Sequence, residues 1–122
     1  MKVLWITNVE LPDAANSRGK SIVVGGWMHQ TLQYLKKSVK LYVASCASES
    51  YDWITIDNVN YCGFLSKIDE AGFRNIIAGI DPDCIHIWGS EYNHSYNATK
   101  AALGLSKIDC TVLSIQGLVS IY

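Results

Sequence analysis

The chain predicts an α/β domain: a Rossmann-like parallel sheet of about five strands, flanked by helices on both faces, with a small hairpin at one edge. Two observations carry this. Short apolar, β-branched runs alternate with stretches of helical period, as in a series of strand–helix units. The runs are near-continuously apolar, the pattern of strands covered on both sides of a parallel sheet. At 122 residues and 49% hydrophobic content, residues 1–122 form one domain long enough to bury a sizeable core.

The elements follow in order. "KVLWIT" (Lys2 to Thr7) is a buried strand. "NVELPDAANSRGKSI" (Asn8 to Ile22) mixes Pro, Gly, Asn and Asp without periodicity and reads as a long loop, a length usually associated with function or mobility. From Gly26 the pattern turns helical. Met28, Leu32 and Leu35 share a face, and Lys36-Lys37 suit the helix C-terminus. "VKLYVASC" (Val39 to Cys46) is a second strand. "YDWITIDNVNYCGF" (Tyr51 to Phe64) alternates on both sides of Asp57-Asn58 and suggests two short strands or a hairpin. Ser66 and Asp69 read as a capping box opening a helix with Phe73, Ile76, Ile77 and Ile80 on one face. Asp81-Pro82-Asp83 ends it. "CIHIW" (Cys84 to Trp88) is the next strand, and a helix runs from Gly89-Ser90 to about Leu105. "CTVLSIQ" (Cys110 to Gln116) is a last core strand. "GLVSIY" then stops in an apolar stretch, as in a chain cut short.

Composition excludes several classes. A net charge of −1 gives no electrostatic case for nucleic acid, whose binding proteins usually carry a basic face. No segment approaches the roughly 18 uninterrupted apolar residues of a membrane span. No basic-then-apolar leader follows Met1, so the expectation is a cytoplasmic protein. The four cysteines, 46, 62, 84 and 110, lie too far apart for a zinc pair and read as buried free thiols. The charged fraction of 17%, below the usual ~25%, is compatible with surface reserved for a partner or for another part of the protein.

Ligands of such sheets bind outside the carboxyl ends of the strands, near the switch point of strand order, so the residues after each strand hold the candidates. Gly25 and Gly26 open a helix there. They read as a tight turn, or as bare backbone that lets a phosphate approach the helix N-terminus. "AANSRGKS" (Ala14 to Ser21) matches a relaxed P-loop with Ala first, but too far behind its strand to wrap a phosphate chain. Arg18 and Lys20 are either solvated loop cations or contacts to a substrate phosphate. His86 is a core histidine or a catalytic group. Glu91, Tyr92 and His94 follow it at the binding edge, where Glu91 holds a sugar hydroxyl or serves as a first-turn carboxylate. Gln116 and Gly117 end the last strand. A glutamine there offers donor and acceptor to a ligand and no proton transfer. Trp27, Trp88, Tyr92 and Tyr96 are available to stack on sugar rings or to pack a core. The GxSxG elbow and the GxGxxG fingerprint are both absent.

The ordered set "GGW" at a helix mouth, "DPDCIHIWGSEY" and "TVLSIQGL" resembles the N-terminal domain of family 4 glycosyltransferases, retaining enzymes of the GT-B fold. The resemblance spans essentially the whole chain and only the first of the family's two domains. It implies that this is the N-terminal, acceptor-side half of a GT-B fold, and that a C-terminal donor-binding domain is absent from these residues. It further implies transfer of a sugar from a nucleotide-sugar donor to a glycan or lipid-linked acceptor. Gly25 and Gly26 would approach the donor diphosphate. His86 and Gln116 would lie at the reacting centre, and Glu91, Tyr92 and Gly117 would face acceptor or sugar. Similar enzymes use no metal and no cofactor, the nucleotide-sugar being a substrate. Some with lipid-linked acceptors contact the inner face of the membrane peripherally. Gln116 stands where many members carry histidine, which keeps hydrogen bonding and removes proton transfer. The expectation is therefore no turnover by these residues alone. Outside the family, the same residues read as a stand-alone Rossmann-like module for a phosphorylated ligand, or as a P-loop nucleotide-binding protein.

Overall fold

A computed structural model describes residues 1–20, 26–90 and 92–115. Six strands form one sheet: β1 (Lys2–Thr7), β2 (Lys40–Cys46), β3 (Tyr51–Ile56), β4 (Val59–Phe64), β5 (Cys84–Trp88) and β6 (Thr111–Ser114). Their spatial order is β3-β4-β2-β1-β5-β6. Every neighbouring pair is parallel except β3 with β4. Among the described residues four α-helices accompany them, α1 (Pro12–Ser17), α2 (Gly26–Leu35), α3 (Glu70–Ile80) and α4 (Asn93–Gly104), with a short 3-10 turn, Ile108–Cys110, before β6. The α/β class, the mostly parallel sheet and the edge hairpin agree with the reading of the sequence.

Side chains alternate across the sheet and meet a different helix pair on each face. Val3, Trp5, Leu41, Val43, Val59 and Tyr61 pack with Leu11 before α1, Ala14 within it, and Met28 and Leu32 of α2. Leu4, Ile6, Ala44, Cys62, Ile85 and Ile87 pack on the opposite face against Phe73 and Ile77 of α3 and the alanines 98, 101 and 102 of α4. Small residues on α4 let that helix lie close to the sheet. With both faces covered, the central strands must be apolar at successive positions, as "VLWI" is.

Four expectations change. The stretch after β1 contains the helix α1, with Pro12 at its start, Asp13 in its first turn and Ala14 and Ala15 buried. Six residues are too few to show a period, and proline at the first helical position was the available sign. Secondly, α3 is capped by Asp69, whose Oδ1 accepts from the Gly72 amide at 2.9 Å; Ser66 lies outside the helix. Thirdly, β6 is an edge strand of four residues with Val112 and Leu113 about half exposed, so it is no core strand. Lastly, of the four free cysteines only Cys62 is buried, and that burial pushes its thiol up to about 12. The other three are half-buried.

The turns follow local chemistry. Asp57 and Asn58 take φ of 49° and 67° between β3 and β4, the left-handed pair that a two-residue hairpin needs and that Asp and Asn tolerate. Asp81, with φ 52°, ends α3 just before Pro82.

Candidate functional site at the carboxyl edge of the sheet

The chain steps from β1 outward to β2 and β4, then returns to place β5 on the other side of β1. The switch point therefore lies between the ends of β1 and β5, where the two connections diverge and leave a crevice. Thr7 closes β1. Its Oγ1 is 2.7 Å from both the Val9 carbonyl and Ser45 Oγ, donating to the first and accepting from the second. The next residue, Asn8, has a buried Oδ1 with no hydrogen-bond donor among the described residues. Across the switch point β5 is followed by Gly89, whose φ of 93° suits glycine alone. The Gly89 carbonyl accepts from Ser95 Oγ at 2.5 Å, which ties the strand end to the first turn of α4.

A charged cluster flanks the crevice on the β2 side. Glu10, only 4% exposed, accepts from Arg18 Nη1 at 2.5 Å and from the Tyr51 hydroxyl at 3.2 Å. The guanidinium also lies over the Tyr51 ring, 4.3 Å from its centroid, a cation–π contact. Its second nitrogen reaches the exposed Glu49 at 2.6 Å. Lys20 approaches the same Glu49 oxygen at 3.8 Å and bonds the Ser48 hydroxyl. The hydrogen bond to Glu10 raises the Arg18 pKa further above its ordinary value. Burial first, and Glu10 second, raise that of Tyr51. The hydrogen bond from Arg18, reinforced by Lys20, holds Glu49 below the usual carboxylate range. Arg18 is thus no solvated loop cation. In "AANSRGKS", Ala14 to Ser17 are helical and not the loop that a P-loop wraps around a phosphate chain, and Ser21 lies outside the described residues.

His86 lies in the middle of β5, on the face that carries Trp5 and Trp88. It stacks on Trp88 with centroids 4.0 Å apart and meets Trp5 edge-on at 6.1 Å. Its Nε2 is 2.6 Å from Ser114 Oγ at the end of β6, a hydrogen bond that ties the two strand ends. Burial lowers its pKa below 6.5. Since the folded chain then resists a proton that the unfolded chain accepts, stability holds above pH 6.5 and falls as pH drops through the lowered folded value. Urea midpoints between pH 7.5 and pH 5 are expected to fall, and to fall less for His86→Asn. Equal slopes in the two proteins would remove His86 as the cause.

The other predicted positions divide. Tyr92 precedes α4 at the edge, 40% exposed, and its ring stacks on that of His94 at 5.2 Å. His94 itself is buried against Phe64, so it does not line the edge as expected. Trp88 is core and Tyr96 is exposed. Gly26 is the first described residue of α2, while Gly25, Glu91, Gln116 and Gly117 lie outside the described residues. Asp83, three residues before His86, works at the other end of the sheet, where its Oδ2 accepts from the Lys2 amide at 2.8 Å.

Asn8, Glu10 and Glu49 lie in the stretches after β1 and β2 to which the sequence points, 8–26 and 45–50, without a motif of their own; Tyr51 and Ser114 lie outside those stretches. The available sign for Glu10 was a carboxylate set between Val9 and Leu11. Among the described residues no three or more His, Cys, Asp or Glu side chains gather as metal ligands, and no helix is long and apolar enough to cross a membrane. Compared with family models, curated proteins and solved structures, the chain matches none.

Proposed function

We propose that the chain is the acceptor-side domain of a retaining glycosyltransferase of the GT-B kind, taking a nucleotide-sugar donor and a glycan or lipid-linked acceptor. The observation that carries the reading is the switch point of strand order between β1 and β5. Asn8, directly after β1, has a buried Oδ1 with no donor among the described residues, an acceptor that a sugar or ribose hydroxyl would suit. Three further features support it. Helix α2, described from Gly26 onward, follows β1 in the chain, and an amide end on that side of the sheet would suit a donor diphosphate. Tyr92 offers an exposed ring at the end of β5. At β6, Val112, Leu113 and Ile115 are about half exposed or more, an apolar edge suited to a further packed element. His86, neutral and bonded to Ser114, serves here to position a hydroxyl and not to carry a proton.

A phosphoryl-ligand module without chemistry is the second reading, favoured by the convergence of Arg18 and Lys20 on one exposed carboxylate. Titration of the ¹⁵N-labelled chain with nucleotide-sugars bears on the first. The amide signals of Asn8, Gly89 and Tyr92 are expected to shift. The opposite edge of the sheet holds a cavity of about 510 Å³ bordered by Lys36, Lys37, Asn58 and Asn60. Shifts confined to those residues would overturn the proposal.

A further inference from the structure

We propose that Arg18 and Lys20 form a binding site for a phosphate group, and that in the free chain the Glu49 carboxylate occupies it. A phosphate-bearing ligand displaces Glu49. The proposal deepens the glycosyltransferase reading by giving a chemical class to part of its ligand.

The geometry separates a fixed half from an exchangeable half. On the inner side Arg18 is immobilised: Nη1 is held by buried Glu10 and the guanidinium plane by the Tyr51 ring. Its side chain is 13% exposed, so the outward edge carrying Nη2 is pre-set in one direction. Arginine's planar fork matches phosphate oxygens, and a fixed fork loses little freedom on binding. Gly19, with φ 73° and open space where a Cβ would stand, turns the backbone between the two cations. Arg18 Nη2 and Lys20 Nζ consequently reach the same point, Oε1 of Glu49.

That third partner is the loose one. The Glu49 side chain is 67% exposed, and exposed ion pairs contribute little to stability. Glu10 alone already answers the charge of Arg18. The cluster therefore has one cation more than its buried carboxylate neutralises, and an exposed carboxylate completes it. An anion with more oxygens and more charge than Glu49 fits the same two donors better. The position agrees with a ligand role, since the loops after β1 and β2 both open onto the carboxyl edge.

The test is calorimetric titration of the folded chain with inorganic phosphate and with inorganic pyrophosphate at low ionic strength, where such contacts are least screened. Glu49→Gln removes the competing charge at an exposed position and is expected to tighten phosphate at least threefold. Lys20→Ala is expected to weaken it at least threefold. Circular dichroism checks that both variants fold. Equal or weaker binding by Glu49→Gln, no saturable binding to that variant, or an unchanged Lys20→Ala would each overturn the site. Competition by uridine diphosphate assigns it to the donor, and phosphate binding that persists under saturating uridine diphosphate assigns it to a phosphorylated acceptor. Either result upholds the site. No step of the titration depends on sugar transfer, so its failure and that of the glycosyltransferase reading are separately visible.

Discussion

Glu10→Ala is expected to destabilise the chain by about 3 kcal/mol or more, the usual consequence of removing one partner from a buried ion pair. The carboxylate is 4% exposed and Arg18 is 13% exposed, so the inner side of the guanidinium has little water to turn to, and only the exposed Glu49 remains to answer its charge. The Tyr51 hydroxyl loses its acceptor in the same stroke. Chemical denaturation measures the loss. Glu10→Ala combined with Arg18→Ala should cost clearly less than the two single changes added together, because the second removes the charge that the first strands. Additive losses, or a single loss below about 1 kcal/mol, would mean that water already solvates the pair.

The second large effect is expected at Gly63, which faces Tyr51 across the β3–β4 pair. A Cβ built there would stand 2.3 Å from Cε1 and 2.5 Å from Cδ1 of the Tyr51 ring. A free ring would swing aside. This one is held by Arg18 above it and by its bond to Glu10, so Gly63→Ala must break that arrangement or displace the strand. A cost of about 1–3 kcal/mol is expected, as for other overpacked sites. The check is a cycle with Tyr51→Ala: once the ring is gone, the added methyl should cost little. If Gly63→Ala is harmful to the same extent in both backgrounds, the ring is not the obstacle.

Gly63 also shows what the sequence could and could not disclose. The strands were legible because "KVLWIT", "KLYVASC" and "CIHIW" are apolar on both faces, a property read one residue at a time. The hairpin was legible from Asp57-Asn58, whose φ preferences are local. Helix α3 was legible from the spacing of Phe73, Ile76, Ile77 and Ile80, while its cap was misplaced from Asp69 to Ser66 because two candidates stood three residues apart. By contrast, the charged cluster joins Glu10 to Tyr51 across 41 positions and Arg18 to Glu49 across 31. No local period encodes such pairs; the loops after β1 and β2 must first be brought together. The His86–Ser114 bond, 28 positions apart, was hidden for the same reason. The edge position of β6 was hidden too, since an apolar run looks alike at the centre and the border of a sheet.

The central place of β1 has a consequence for how the chain is made. Its residues pair on one side with β2 and on the other with β5, Val3 lying beside Leu41 and also beside Cys84. On the ribosome β1 emerges long before its second partner. At about 5–20 residues per second, the roughly 80 residues between them take on the order of 4–16 s to synthesise. Until Lys40–Cys46 are made, Leu4, Trp5 and Ile6 belong to a strand with both edges unpaired, and from then until Cys84 one edge stays open. An interval of that length invites pairing with other chains, and holding factors that cover nascent apolar strands would act most usefully before Cys84 is made.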